Sequence, residues 1–159
     1  MSQKIFLIGL PGAGKTTMGL ELGLHLILPF IDLDQEIEKE TKQSVRAIFE
    51  ENGEAHFRQL EKMQLQKAIE FIPSFVMATG GGTPCFFDNL ELMNKTGETI
   101  YINTPIETIK ERLEKDSSRP LMINNSLESL LKKREDIYKS AKETVTSLKE
   151  LIDSFPIKS

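Results

Sequence analysis

The feature that constrains this chain most is the segment of residues 9–16, Gly-Leu-Pro-Gly-Ala-Gly-Lys-Thr. It has a glycine, four residues, a second glycine, a lysine and a threonine, which is the spacing of a phosphate-binding loop. The apolar run Ile5–Ile8 precedes it, and a helix-like stretch at residues 17–27 follows it. Because the motif requires this order of strand, loop and helix, the segment predicts a nucleoside triphosphate site rather than a turn that only joins two elements.

Each part of this loop has a predicted contact with the nucleotide. Glycines let successive backbone N–H groups turn inward, and with the N-terminus of the helix these amides form a nest for a polyanion. The Lys15 side chain is expected to reach the β and γ phosphates, and the Thr16 hydroxyl is expected to bind Mg²⁺. The predicted nucleotide-binding residues of the loop are Gly12, Ala13, Gly14, Lys15, Thr16 and Thr17.

Length and composition narrow the class of partner. The 159 residues are expected to form one domain, 1–159, which is too short for a separate substrate domain. The net charge is −4 and basic residues are scattered among acidic ones, so we expect a small-molecule ligand and no nucleic acid. The one cysteine, Cys85, excludes an internal disulfide, suits a cytoplasmic location and is best explained as a small buried side chain. No apolar run approaches the roughly twenty residues of a membrane span, so no membrane contact is expected.

Strand-like and helix-like patterns alternate along the chain. The predicted strands are residues 5–8, 30–34, 74–79, 99–102 and 144–148, and the predicted helices are residues 17–27, 36–42, 45–51, 54–71, 85–94, 105–115, 127–142 and 149–155. This alternation predicts an α/β sandwich with a mainly parallel sheet, in which ligands bind at the carboxyl ends of the strands. We expect Leu20, Leu24 and Ile27 to pack the first helix on the sheet, and Thr104 to cap the helix after the fourth strand.

Two aspartates follow the second predicted strand. Asp32 and Asp34 would point the same way if the chain stays extended there, because side chains alternate along a strand. Asp32 is the candidate for holding Mg²⁺ through bound water, and Asp34 the candidate for accepting the proton of an attacking hydroxyl. The alternatives are a solvated or strand-ending aspartate at position 32 and a helix N-cap at position 34.

Two arginines interrupt apolar helix faces. Arg58 extends the stripe that contains Leu65, and Arg134 lies seven residues after Leu127 on another stripe. A guanidinium in such a position favours a planar anion that accepts two hydrogen bonds, such as the carboxylate of a substrate. The alternative is an internal salt bridge with Glu61 or another acid.

Glycines and a polar loop supply the remaining candidates. Gly80–Gly82 would bring bare backbone amides against a ligand, unless they form only a permissive turn. Arg119 lies in a polar loop at residues 116–125 and could close onto the γ-phosphate during transfer, or be an ordinary exposed arginine. His25 and His56 lie in separate predicted helices and are assigned no role.

Taken together, these residues resemble the shikimate kinases, a family in the nucleoside-monophosphate-kinase-like group of phosphate-loop proteins. The resemblance spans residues 4–138 and is carried by several partial motifs in one order. Its most specific parts are residues 9–16, residues 30–34 with Ile37-Glu38, Ile48-Phe49-Glu50, Gly53-Glu54, Phe57-Arg58 with Glu61, residues 79–82, Arg112 seven residues before Arg119-Pro120-Leu121, and Arg134 four residues before Tyr138.

The resemblance implies a three-layer α/β sandwich of the P-loop NTPase type, with a five-stranded parallel sheet in the order 2-3-1-4-5. It implies ATP- and Mg²⁺-dependent phosphorylation of the 3-hydroxyl of shikimate, on the route to chorismate and the aromatic amino acids, by a monomer. The implied substrate region is residues 34–61 and the implied lid is residues 116–125.

The resemblance also implies a role for individual residues. Asp34 would be the catalytic base, Lys15 and Arg119 would stabilise the transferring phosphoryl group, and Arg112 would pack against adenine. Thr16 and Asp32 would hold Mg²⁺. The implied shikimate-binding residues are Asp34, Arg58, Gly80, Gly81, Gly82 and Arg134.

The chain departs from the family pattern at its C-terminus, where residues 143–159 are short and weakly patterned, so the predicted adenine contacts rest on Arg112. The competing hypotheses are gluconate kinase or a nucleoside monophosphate kinase of the same fold, and a nucleotide-binding module without catalysis. Two arginines from separate helices favour an acceptor that carries a carboxylate. A non-catalytic relative would be expected to have lost Lys15, Asp34 or Arg119, and all three are present.

Overall fold

The computed structural model describes residues 2–115 and 124–157, and the side chains of all of these except residues 124–126. The strands are β1 Lys4–Ile8, β2 Phe30–Asp32, β3 Phe75–Ala78, β4 Glu98–Ile102 and β5 Glu143–Val145. They form one parallel sheet in the order β2-β3-β1-β4-β5. Helices cover both sides of the sheet, so the predicted three-layer α/β fold and strand order are confirmed.

The helices connect these strands. They are α1 Lys15–Leu26, α2 Leu33–Thr41, α3 Val45–Phe71, α4 Asn89–Thr96, α5 Ile106–Lys115, α6 Asn124–Tyr138 and α7 Leu148–Asp153, and a single 3-10 turn, Thr83–Cys85, precedes α4. Gly53 breaks the helical conformation inside α3 with φ 85° and ψ 168°, as the sequence predicts. Where one helix was expected at residues 85–94, the chain instead forms the 3-10 turn followed by α4.

Strand β1 lies at the centre of the sheet and of the core. Its residues Ile5–Ile8 are fully buried, and Leu7 is paired with Ala78 of β3 on one side and Ile100 of β4 on the other. Parallel strands bring their carboxyl ends to the same edge. The chain therefore leaves β1 into the phosphate loop and leaves β3 into Gly80–Gly82 at neighbouring points of that edge.

Strand β2 is shorter than the sequence predicts, and this corrects the expected geometry of the two aspartates. The strand ends at Asp32, which is the N-cap of α2 and accepts a hydrogen bond from the backbone N–H of Gln35 at 3.2 Å. Asp34 is therefore a residue of the first turn of α2, and the chain between Asp32 and Asp34 is not extended. The N-cap role considered for Asp34 belongs to Asp32.

The buried face of α1 also differs from the prediction. Leu22, Gly19 and Gly23 face the sheet, whereas the Leu20–Leu24–Ile27 stripe is exposed, with Ile27 90% exposed. A Cβ on Gly19 would lie 2.5 Å from the ring of Phe30, so glycine allows the helix to approach the strand closely. The apolar stripe on this helix was therefore assigned to the wrong face.

The C-terminal part of the chain keeps the predicted element types with shifted bounds. Helix α6 begins at Asn124, three residues before the predicted start at residue 127. The short strand β5 completes one edge of the sheet, and His25 on α1 hydrogen-bonds the carbonyl of Phe155 at 2.9 Å, which ties the end of the chain to the first helix. No helix in residues 2–115 and 124–157 is both long and apolar enough to cross a bilayer.

Candidate active site

The phosphate loop adopts the conformation that its glycines permit. The φ angles of Gly12 and Gly14 are 81° and 100°, a region that side chains with a Cβ rarely occupy. The Ala13 N–H bonds the carbonyl of Leu10 at 3.1 Å, and the Thr104 hydroxyl donates to the carbonyl of Ala13 at 2.6 Å. Thr104, expected only as a helix cap, is thus an anchor of the loop from the segment after β4.

Two basic side chains lie against this loop. Lys15 is buried, and its Nζ donates to the carbonyl oxygens of Gly9 at 2.5 Å and Leu10 at 2.9 Å. Arg112 is exposed on α5, and its Nη1 donates to the carbonyl of Gly12 at 3.1 Å. Both predicted cations therefore reach the anion-binding nest, while Thr17 lies in the first turn of α1 with its side chain exposed.

The two predicted metal ligands are adjacent. The Thr16 hydroxyl donates to Oδ2 of Asp32 at 3.0 Å, which places a hydroxyl and a carboxylate side by side at the start of α1. Within the described ranges no group of three or more His, Cys, Asp or Glu side chains could hold a metal ion. A hydroxyl and one carboxylate suit Mg²⁺, which keeps several waters and takes further oxygens from phosphates. The residues present therefore fit the ion that the sequence predicts.

The Asp34 carboxyl lies in a buried, acidic environment. Its Oδ1 atom is buried and has no hydrogen-bond partner among the described residues. Burial, then the charges of Glu61 and Asp32, raise the pKa of Asp34 to about 6, and the charge of Lys15 opposes this rise. A carboxylate with a pKa near neutrality and an unused oxygen is suited to accepting a proton from a bound hydroxyl.

The three glycines after β3 each make room for a different neighbour. A Cβ on Gly80 would lie 3.1 Å from Oδ1 of Asp34, and a Cβ on Gly81 would lie 2.7 Å from the ring of Pro11 in the phosphate loop. A Cβ on Gly82 would lie 2.5 Å from Nη2 of Arg58. The Gly80–Gly82 segment therefore contacts the phosphate loop and also the predicted acceptor residues Asp34 and Arg58.

Arg58 is held by a buried network on the far side of these glycines. Its Nη1 donates to Oε1 of Glu61 at 3.0 Å, and the Thr83 hydroxyl donates to Oε2 of Glu61 at 2.8 Å while accepting from the Gly80 N–H at 2.8 Å. Full burial raises the pKa of Glu61, and Arg58 and Thr83 oppose that rise. The salt bridge considered as an alternative therefore exists, yet Nε of Arg58 is buried without a hydrogen-bond partner in the described part of the chain.

Arg134 approaches the same region from α6. It hydrogen-bonds the hydroxyl of Tyr138, which donates to the carbonyl of Gly81 at 2.6 Å. The charge of Arg134 also acts on Glu61 and on Cys85, where burial raises the pKa of the thiol. The two arginines thus approach one region from α3 and α6. Cys85, expected as a small buried side chain, is half-buried and packs against the core.

Several residues that shape the site were not assigned a role from the sequence. The acid Glu61 was considered only as a salt-bridge partner of Arg58 and as part of a motif, and Tyr138 only as part of a motif. Thr83 gave no signal, because its partner Glu61 lies 22 residues away. Thr104 was expected as a helix cap, and its bond to Ala13, 91 residues away, gave no signal. Arg119 and residues 116–123 of the predicted lid lie outside the described residues.

Comparisons with known proteins were made for the whole chain. A family model described as shikimate kinase matches residues 11–153, which include Lys15, Asp34, Arg58, Gly80–Gly82 and Arg134. The chain belongs to the shikimate kinase family. A shikimate kinase of Parabacteroides distasonis is 41% identical over 160 residues, which cover 96% of this chain and 92% of that protein.

Solved shikimate kinases have the same fold. The structure of shikimate kinase from Bacteroides thetaiotaomicron superposes with a TM-score of 0.86 at 36% identity, covering 97% of this chain and 94% of that one. Shikimate kinase from Acinetobacter baumannii, solved in complex with shikimate, has a TM-score of 0.88 at 34% identity and covers 97% of this chain and 90% of that one. Shikimate kinases use ATP and Mg²⁺, in agreement with the phosphate loop and the Thr16–Asp32 pair.

Proposed function

We propose that this chain transfers the γ-phosphoryl group of ATP to the 3-hydroxyl of shikimate, using Asp34 as the base and Arg58 and Arg134 as the carboxylate-binding groups. The products are shikimate 3-phosphate and ADP, and the step lies on the route to chorismate and the aromatic amino acids. The observation that carries this proposal is the contact of Gly80–Gly82 with Asp34, Pro11 and Arg58, since it places acceptor groups beside the nucleotide loop.

On the acceptor side, the chain's task is to orient one hydroxyl and remove its proton. As the hydroxyl oxygen attacks the γ-phosphorus, Asp34 accepts the proton on its carboxylate. Burial, and then the acidic neighbours, raise the pKa of Asp34, which makes it a better proton acceptor than an exposed aspartate. The glycine segment lies next to Asp34 and Arg58. The Gly80 N–H is bound to the Thr83 hydroxyl, so the amides of Gly81 and Gly82 are the ones assigned to the ring hydroxyls.

On the carboxylate side, two guanidinium groups from separate helices define the acceptor's orientation. Arg58 has a buried Nε free to donate, and Arg134 is held by Tyr138. Two guanidinium groups that approach from separate helices would match a planar carboxylate. A polyol offers no such anion, and a nucleoside monophosphate offers a tetrahedral phosphate instead. Gluconate also carries a carboxylate, so the kinetic test below is what separates it from shikimate.

On the nucleotide side, the amides of Gly12, Ala13 and Gly14 and the first turn of α1 bind the phosphates. Lys15 leaves its two carbonyl partners to contact the β and γ phosphates, and Arg112 packs against adenine beside Gly12. Mg²⁺ held by Thr16 and Asp32 would neutralise charge on the phosphate oxygens. Arg119 is assigned to the transferring phosphoryl group on the family resemblance.

We also infer that the enzyme acts as a cytoplasmic monomer on a small molecule, without nucleic acid or membrane. The net charge of −4, with basic residues scattered among acidic ones, favours a small-molecule substrate over nucleic acid. The exposed Leu20–Leu24–Ile27 stripe of α1 is the surface on which a dimer would form instead. Light scattering at micromolar concentration distinguishes the two states.

The test of the reaction is ADP release from Mg-ATP with and without shikimate, for wild type and for Asp34→Asn. We expect release to depend on shikimate and to fall by orders of magnitude in the variant, because it has lost the proton acceptor. Gluconate and nucleoside monophosphates are the control acceptors. If one of these stimulates release and shikimate does not, the assigned acceptor is wrong, and if ATP binds with no acceptor active, the chain is a binding module.

A further inference from the structure

Phe86 is an aromatic side chain that the mechanism above does not use. It follows the 3-10 turn Thr83–Cys85, and its ring centroid lies 4.1 Å from Cζ of Arg58. Cys85 is among the partly buried side chains that pack against the apolar core cluster, and Phe86 is not. The ring is therefore packed on a cation rather than on the core.

The backbone on both sides of Phe86 is fixed. The buried Asn89 donates from Nδ2 to the carbonyl of Thr83 at 2.9 Å, and the Asn89 N–H donates to the carbonyl of Phe86 at 3.2 Å. The Thr83 side chain is bound to Glu61 and Gly80 in turn. The turn therefore places Phe86 on Arg58 with little freedom to move away.

Arg58 is surrounded on most sides. Glu61 accepts a hydrogen bond from Nη1 of Arg58. The backbone of Gly82 lies so close that a Cβ on this residue would clash with Nη2. The Phe86 ring covers a face of the guanidinium, and Arg58 as a whole is 7% exposed. Its Nε atom is buried and has no hydrogen-bond partner among the described residues, so this donor is unused within a packed surrounding.

We propose that Phe86 is a positioning residue for the carboxylate of the acceptor. Its ring stabilises the Arg58 cation and keeps water from the guanidinium face, so that the remaining donors are preorganised for one planar anion. Cation–π contacts are strongest when the cation is desolvated, as it is here. This inference rests on the proposed function, because it takes Arg58 as the carboxylate-binding group.

The neighbouring residue provides a matched control. Phe87 is 53% exposed and its ring lies 4.9 Å from Nζ of Lys62, a half-exposed lysine on the other side of the turn. It has the same side chain and also faces a cation, but the described cation–π contacts of Arg58 are with Phe57 and Phe86. Phe87→Leu should therefore leave acceptor binding unchanged.

The test compares Phe86→Leu, Phe86→Tyr and Phe87→Leu in steady-state kinetics with shikimate. Leucine keeps an apolar side chain but removes the π face, so we expect KM for shikimate to rise roughly 2- to 30-fold, the range of a cation–π contact, with KM for ATP near wild type. Phe86→Tyr should restore KM, because it keeps the ring. An unchanged KM in Phe86→Leu overturns the proposal.

A second acceptor separates positioning of the carboxylate from a general disturbance of the site. Shikimate methyl ester keeps the ring hydroxyls but carries no anion. With the ester as acceptor, Phe86→Leu should lower kcat/KM little or not at all. If the variant lowers kcat/KM equally for shikimate and for the ester, the role of Phe86 is merely structural. Arg58→Lys tests the proposed function separately. If this variant also leaves kcat/KM for shikimate unchanged, the proposed function itself has failed. If Arg58→Lys lowers kcat/KM and Phe86→Leu does not, only the role of Phe86 is refuted.

Discussion

The hydroxyl of Tyr138 donates a hydrogen bond to the carbonyl oxygen of Gly81, with 2.6 Å between the two oxygens. This bond joins α6 to the glycine segment, and Arg134 bonds the same hydroxyl. Tyr138→Phe keeps the ring that stacks on Tyr101 at 5.1 Å but removes the link. We expect kcat/KM for shikimate to fall about 2- to 13-fold, the effect of one hydrogen bond, with KM for ATP unchanged. If kcat/KM fell equally for shikimate and for ATP, the role of Tyr138 would not be confined to the acceptor side.

Gly82→Ala tests the close approach of the glycine segment to Arg58. The new Cβ would lie 2.5 to 2.8 Å from three atoms of the guanidinium, so Arg58 must move out of its network. We expect KM for shikimate to rise roughly 5- to 150-fold, as overpacking of a rigid site suggests. Gly53→Ala is the control, because Gly53 also has an unusual backbone but no described atom within 4 Å of an added Cβ. It should lower the unfolding free energy by backbone strain and leave KM unchanged.

Asp32→Asn separates the two tasks of Asp32. Asparagine can still cap α2, since it is as good an N-cap as aspartate, but it brings no charge to Mg²⁺. We expect the Mg²⁺ concentration for half-maximal activity to rise about 10- to 100-fold while the melting temperature stays near wild type. Asp32→Ala should lose the cap as well and unfold at lower temperature. A normal Mg²⁺ dependence in Asp32→Asn would remove Asp32 from the metal site.

Asp34→Asn should increase stability at alkaline pH while it abolishes activity. The folded-state pKa of Asp34 is raised from 3.8 to about 6, so the folded chain holds this proton more tightly than the unfolded chain. The contribution of Asp34 to the free energy of unfolding is therefore fully present below pH 4. It declines as the pH rises toward 6 and is lost above pH 6. The shift corresponds to at most about 3 kcal/mol. Urea unfolding should show the variant about 1 to 3 kcal/mol more stable at pH 8, with the difference gone at pH 4.

Ile27→Gly should raise the free energy of unfolding and leave the kinetic constants unchanged. Ile27 caps the C-terminus of α1 with φ 56° and ψ 49°, a left-handed conformation that disfavours a β-branched residue, and its side chain is 90% exposed. Glycine removes this strain, and we expect a gain of about 1 kcal/mol, or roughly 2–4 °C in melting temperature. Ile27→Ala keeps the Cβ and should gain less. A loss of stability in Ile27→Gly would mean that the exposed side chain has a partner.

The element types and the mainly parallel sheet follow from local patterns, because apolar strands that alternate with helices leave few arrangements for a chain of this length. The order of the strands was implied by the family resemblance and not by these patterns. The face of α1 could not be predicted in the same way. Gly19 and Gly23 pack on the sheet because they lack a side chain, and a pattern of apolar residues does not detect them. Leu20 and Leu24 completed a convincing stripe on the exposed side.

The proposed acceptor residues could be selected because charge in an apolar stripe is visible in the sequence. Arg58 and Arg134 are such residues, and the structure brings both near the glycine segment. The partner of Arg58 is local, because Glu61 follows it by three residues. Thr83, which binds Glu61 in turn, is 22 residues away, and this contact depends on the fold rather than on spacing. The extended geometry expected for Asp32 and Asp34 was wrong because α2 begins directly after Asp32, and the N-cap that starts it is Asp32 itself.

The two outermost strands of the sheet, β2 and β5, have three residues each. An exposed strand is a template on which another polypeptide can add its own backbone hydrogen bonds, and a strand of this length offers very few. Glu143 and Thr144 of β5 are exposed as well, and a carboxylate there would have to be desolvated when a second chain pairs with it. Short edge strands of this kind act against the growth of ordered aggregates. Another chain can pair with the more aggregation-prone strands β1, β3 and β4 only after the edge strands have detached.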